Sequence, residues 1–195
     1  YLNDEHDAFW LAHMLVLGIL PEGYVYPREK RGLRDLLRQR SYLVVQKTSL
    51  KMRLQQFFSN IKGVSLGNNS IEKMKLEDLN QLFSEKTIRE TGQNIWQTMK
   101  LIDGQINELE SYLLREMKGE PAYKTLLSTP GIGKVLGWTI ALETGPIERF
   151  ASAGNYASYC RCVPSSYWSN QKQKGSGNEK NGNKYLSWAY GEAAH

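Results

Sequence analysis

Residues 88–113 read IRETGQNIWQTMKLIDGQINELESYL, and the spacing of Ile88, Ile95, Met99, Ile102, Ile106, Leu109 and Leu113 within them decides the fold class. Steps of seven, four and three place these side chains on one stripe of a helix, broken only at Gly92. A second stripe lies upstream, where Leu36, Leu43, Leu50, Leu54, Phe57 and Ile61 recur at the same steps. Between the two, Lys62 to Ser70 carries Gly63, Gly67, Asn68 and Asn69 and reads as a turn, with Asn69 and Glu72 placed to cap the next helix. Two long helices joined by a turn predict an antiparallel coiled-coil arm over residues 28–120 of a mainly α protein. Apolar heptads bury one another, so the stripes need no ligand.

The opposite face of the first arm helix is basic. From Arg28 to Arg53 there are nine Lys or Arg against two acids, Glu29 and Asp35. The whole chain carries a formal charge of +5 and a pI near 9.1. That balance favours a polyanionic partner, and the local concentration makes Arg31, Arg34, Arg38, Lys47 and Lys51 candidate nucleic-acid contacts. A solvated basic face accounts for the same residues. With 195 residues, 41% of them hydrophobic, the chain can bury one substantial core or two small ones. No apolar run is long enough to span a membrane, and no signal peptide is visible. Cys160 and Cys162 are too close for an unstrained disulfide, which fits a reducing compartment. They read as buried structural thiols, since His6, His13 and His195 are too far along the chain to complete an obvious metal site.

Downstream of the arm, two helical stretches between Tyr123 and Glu143 flank Thr129-Pro130-Gly131-Ile132-Gly133, the pattern of a helix-hairpin-helix. Glycines permit the tight turn, and free amides at the next helix start can bind a phosphate oxygen without reading a base. Gly131, Gly133 and Lys134 are the candidate contacts; a plain helical corner is the alternative. Gly145 and Pro146 end that helix, and Ile147, Phe150 and Tyr156 predict a short helical segment packed against it. Residues 160–194, CRCVPSSYWSNQKQKGSGNEKNGNKYLSWAYGEAA, form a dense polar loop before a last helix seated by Tyr185, Leu186, Trp188 and Ala189. Ser169 stands in that loop between an aromatic pair and the cations Lys172 and Lys174, with Arg161 and Lys180 nearby. A serine hydroxyl is a weak nucleophile, and phosphoryl transfer would require its activation and neutralisation of the phosphate. Spacing does not separate it from Ser165, Ser166 and Ser176.

At the other end, residues 4–17 place Phe9, Ala12, Leu15 and Val16 at helical spacing, a short amphipathic helix with Asp4 as its cap. Gly18, Pro21 and Gly23 break it, and Tyr24 to Pro27 must be an extended connector. Asp4 and Asp7 share one face of the helix start, a spacing suited to a hard cation such as magnesium, although capping accounts for the same pair.

These segments, in this order, resemble the insertion-sequence transposases of the family numbered one-ten, RNA-guided recombinases with a RuvC-like domain of four acids. The resemblance covers essentially the whole chain. It rests on Pro130 to Gly133, on Ala157 to Val163 (ASYCRCV), on Ser169-Asn170, on Lys174 to Leu186 and on Glu192 to Ala194. It is similar to a branch with Ser-Asn where many relatives have glycine after the serine. The resemblance implies a RuvC-like remnant over residues 1–27, the arm over 28–120, and a C-terminal transposase domain over 121–195. It implies that Ser169 is the nucleophile and that Asp4 and Asp7 are the last two of the four metal-binding acids, with Mg2+ as cofactor. The first Asp and the Glu have no counterpart, so the chain reads as truncated at that end. Double-stranded DNA, a structured guide RNA and further copies in a dimer or tetramer are the implied partners. The implied location is the prokaryotic cytoplasm, on DNA. Two other readings remain beside it: a non-catalytic helix-hairpin-helix module that binds nucleic acid, and a purely structural coiled-coil protein.

Overall fold

The computed structural model describes residues 4–20, 23–163, 166–176 and 181–195. It is mainly helical. Helix α1 spans Asp4–Val16, α2 Arg28–Lys62, α3 Asn68–Lys73, α4 Leu76–Leu82, α5 Lys86–Met117, α6 Pro121–Leu127, α7 Lys134–Thr144, α8 Ala153–Tyr159 and α9 Lys184–Ala193. A 3-10 turn at Ile147–Arg149 precedes α8, and strands β1 (Ser166–Ser169) and β2 (Lys172–Ser176) lie between α8 and α9.

The arm is the antiparallel pair α2 and α5. Its register is written in its ion pairs, because partner numbers fall on α5 as they rise on α2. Arg40 meets Glu110 at 2.6 Å and Lys47 meets Asp103 at 2.5 Å. Lys30 extends the series past the end of α5 to Glu120 at 2.9 Å. Beneath them α2 buries Leu37, Leu43, Leu54 and Phe58, and α5 buries Ile95, Met99, Ile102, Ile106, Leu113 and Met117. The stripe on α2 differs from the expected one at both ends: Leu36 and Phe57 are half-buried, their neighbours Leu37 and Phe58 are buried, and Ile61 is exposed. Other helices cover α2 at its two ends: Leu37 is buried against Tyr123, Trp138 and Leu142 of α6 and α7, and Phe58 against Ile71 of α3 and Leu79 of α4.

The tip of the arm is more than the expected turn. Helices α3 and α4 fold back to make a core of Leu54, Phe58, Ile71, Met74, Leu79, Phe83, Ile95 and Met99. Gly92, which interrupts the stripe in sequence, lies under this core, and a Cβ there would sit 3.1 Å from the Phe57 ring. The missing side chain lets Phe57 pack edge-on to Phe83 with ring centroids 5.5 Å apart. Asn69 does not cap α3; that place is taken by Gly67 without a side-chain bond. The capping carboxylate belongs to Asp78, whose Oδ2 accepts from the Lys75 amide at 2.8 Å.

At the base of the arm, Leu37, Leu113 and Met117 pack with Tyr123, Trp138 and Leu142 of α6 and α7. The connector before α2 contributes Tyr26, whose hydroxyl donates to the Leu142 carbonyl at 2.6 Å. Burial pushes that phenol up to about 12. The last layer packs Ile140 of α7 on Cys160, Leu186 and Ala189. Trp188 stays outside it, 44% exposed, because Leu186 and Ala189 define the buried side of α9, one turn apart. Cys160 is buried as expected, whereas Cys162 is exposed, and both are free thiols. Helix α1 forms, but none of its residues is buried: Phe9, Trp10, Leu11, Leu15 and Val16 are all exposed. No helix among the described residues is long and apolar enough to cross a membrane.

Candidate functional site

The chain between α8 and α9 leaves the helical layer as a β-hairpin rather than as a featureless loop. β1 and β2 pair antiparallel with Ser169 opposite Lys172. The two residues between them, Asn170 and Gln171, have φ of 54° and 59°. Positive φ at both central positions is the I′ turn, whose twist suits two antiparallel strands. A register shift between Tyr167 and Trp168 pairs Tyr167 with Gly175 and Trp168 with Gln173, leaving Lys174 as the extra residue of a bulge. Ser169 therefore closes a tight turn, with the exposed Lys172 as its cross-strand neighbour. Lys180 and Ser165 lie outside the described residues.

Both ends of this excursion are stitched together. The Asn183 amide donates to the Tyr159 carbonyl at 2.7 Å. Arg161 donates from Nε to the Asn181 carbonyl at 2.9 Å and from Nη2 to the Gly182 carbonyl at 3.3 Å. Gly182 has φ of 88°, and a Cβ there would lie 2.5 Å from the Tyr159 oxygen, so the close approach of the two ends requires glycine. Arg161 is thus engaged in closing the excursion.

The glycine turn between α6 and α7 lies beside α9. Gly131 has φ of 85°, and a Cβ would lie 2.5 Å from the Ala193 carbonyl. Gly133 is the extended N-cap of α7, and Lys134 opens the helix and is exposed. The five candidate cations of α2 are engaged within the fold. Arg31 donates to the Tyr26 carbonyl at 3.0 Å. The Arg34 guanidinium lies 3.8 Å from the centre of the Tyr26 ring. Lys47 holds Asp103, Lys51 holds Glu72 at 2.6 Å, and Arg38 holds Glu143 with two bonds of 2.7 and 2.8 Å. The Glu143 carboxylate raises the Arg38 pKa above its ordinary value, chiefly by these hydrogen bonds.

Asp4 and Asp7 lie in the exposed first turn of α1. Two carboxylates one turn apart suit a hard cation, yet an octahedral magnesium ion takes six oxygens. No group of three or more His, Cys, Asp or Glu able to hold a metal exists among the described residues. Alone, the pair supplies fewer oxygens than such an ion takes.

Two functional-looking residues escape a reading of the sequence. Glu143 ends the apolar run of α7 and is only 1% exposed, with Arg38 on one side and the Asn183 Nδ2 at 2.7 Å on the other. Asn183 in turn caps α9, its Oδ1 accepting from the amides of Tyr185 at 2.9 Å and Leu186 at 3.3 Å. An acid inside an apolar run was the available signal, because a buried carboxylate demands partners.

This segment also has known relatives. The model of the Transposase IS116/IS110/IS902 family matches residues 123–195, from α6 to the end of α9. The match makes residues 123–195 similar to that family. No curated protein matches the chain.

Proposed function

We propose that the chain belongs to a DNA transposase that cuts and rejoins double-stranded DNA through Ser169, guided by a structured RNA. The observation that carries this reading is the family match over residues 123–195, which contain both the serine hairpin and the glycine turn. The Ser169 hydroxyl attacks a backbone phosphorus, a phosphoserine ester forms, and the bond to one deoxyribose oxygen breaks. That oxygen leaves as a hydroxyl, taking up the equivalent of the serine proton, and a later attack by another DNA hydroxyl restores the serine. Lys172, across the turn from Ser169, supplies positive charge beside the phosphate. Gly131, Gly133 and Lys134 hold a second phosphate in this reading, which the free amides at the start of α7 support.

Asp4 and Asp7 would give two ligands to Mg2+, completed by acids from elsewhere in the assembly; such an ion stabilises charge on the phosphate. A composite site of that kind favours a dimer or tetramer, and the exposed Tyr42, Val45, Met52 and Leu101 of the arm offer apolar surface for it. The guide RNA falls to the exposed cations of the C-terminal segment more than to α2, whose five candidate cations already have partners in the fold.

The test incubates the full-length protein, its guide RNA and DNA carrying the encoding element, with and without Ser169→Ala. Wild type forms protein–DNA adducts that survive denaturant, and the variant forms none while its DNA affinity is unchanged. Adducts that persist in the variant contradict the assignment. Salt-dependent binding with no adduct from either protein supports instead a non-catalytic binding module.

A further inference from the structure

We infer that Arg38, Glu143 and Asn183 form a clamp through which the arm sets the position of the serine hairpin. Each link is a direct contact. Arg38, on α2, grips both oxygens of the buried Glu143 carboxylate. Glu143, on α7, accepts from the Asn183 side chain at 2.7 Å. Asn183 closes the excursion that carries β1 and β2, through its amide bond to the Tyr159 carbonyl, and starts α9 with its side-chain oxygen. The Arg38 guanidinium also lies 4.6 Å from the centre of the Tyr185 ring, so the arm touches the first turn of α9 directly.

The chemistry selects these residue types. Glu143 is buried, and a buried carboxylate is tolerated only when paired and hydrogen-bonded, so moving Arg38 away leaves it short of its charged partner. A planar guanidinium matches the carboxylate with two parallel bonds, which fixes direction as well as distance. Asn183 is the only side chain of the three with a donor for Glu143 and an acceptor for the α9 amides at once. Shifting α2 relative to α7 therefore pulls on the residue that ends the hairpin excursion. Arg38 and Glu143 are positioning residues in this scheme, with no contact to the reacting atoms.

What the clamp serves rests on the transposase reading above; its existence does not. Amide hydrogen exchange of the full-length protein without nucleic acid reads it directly. Arg38→Ala should speed exchange in residues 166–176 and in the first turn of α9 by about tenfold or more, since breaking a buried pair frees the segment it held. Arg40→Ala removes a comparable Arg–Glu pair from the same helix, and should leave exchange in 166–176 at the wild-type rate. Asn183→Asp keeps the cap but sets a second carboxylate against Glu143, faced also by Arg38 and the hydroxyl of Tyr159. Its exchange, relative to wild type at the same pH, should be fast near pH 8 and recover near pH 5, where two adjacent carboxyls share a proton. A merely structural defect gives no such recovery. Wild-type exchange in Arg38→Ala, an equal rise in Arg40→Ala, or a rise in Asn183→Asp that ignores pH would each overturn the clamp. If exchange behaves as expected but wild type forms no DNA adduct, the transposase reading fails and the clamp stands.

Discussion

In the arm, each step along α2 is answered by a step back along α5, from Arg40 with Glu110 to Lys47 with Asp103, over a continuous apolar stripe. In residues 121–195 the chain instead passes close to itself at single points. Gly131 meets the Ala193 carbonyl, Gly182 meets the Tyr159 carbonyl, and the buried Glu143 carboxylate holds Asn183. The arm spreads its contacts along its length, whereas the C-terminal segment adds to its apolar core a few close approaches at single residues.

The contrast breaks first at the glycines. Gly182→Ala should cost about 4 kcal/mol in thermal or denaturant unfolding, combining the penalty of positive φ with the overpacking of a Cβ against a backbone oxygen. Gly104 on the arm has nothing within reach of an added Cβ, and Gly104→Ala should stabilise by up to about 1 kcal/mol. Equal effects at the two sites would remove the distinction. Leu54→Ala, at the fully buried heart of the arm's tip, should cost about 3 kcal/mol. That loss should appear as faster exchange in α3 and α4 before any change in the C-terminal segment.

The two thiols test the packing of the last layer. Burial pushes the Cys160 thiol up to about 11, so at pH 8 it stays protonated while an ordinary thiol is partly thiolate. Alkylation followed by peptide mapping should label the exposed Cys162 much faster than Cys160, whose burial both covers the sulfur and keeps it protonated. Comparable labelling would mean that α8 and α9 do not enclose Cys160. The smallest effect belongs to the arm's outer pairs: Lys47→Met, which removes the half-exposed partner of Asp103, should cost about 1 kcal/mol or less and less still at high salt.

Much of the arm could be read from the sequence because helical periodicity is a local signal. From Ile95 to Leu113 the stripe is buried apart from the half-buried Leu109, whereas on α2 the helices packed at the two ends of the arm moved the buried positions to Leu37 and Phe58, which a local period does not reveal. The core under the tip was not legible, since Ile71 and Leu79 sit in helices of six or seven residues and Phe83 just follows the second, too short a stretch for a period to show. The candidate site divides the same way. Gly131 announced its turn, but Arg38 looked like a nucleic-acid contact because sequence shows a charge without showing its partner, and Glu143 lies 105 residues away. The hairpin was hidden because Asn170 and Gln171 adopt positive φ without a glycine between them.

The central claim, that Ser169 at the hairpin turn is the group that joins DNA, is tested most directly by mapping the covalent adduct. The trapped complex is digested with nuclease and protease, and the peptides are weighed by mass spectrometry. The account predicts a nucleotide mass on the peptide that contains Ser169 and on no other serine of residues 160–190. An adduct mapped to Ser165, Ser166, Ser176 or Ser187, or to a tyrosine, would contradict it.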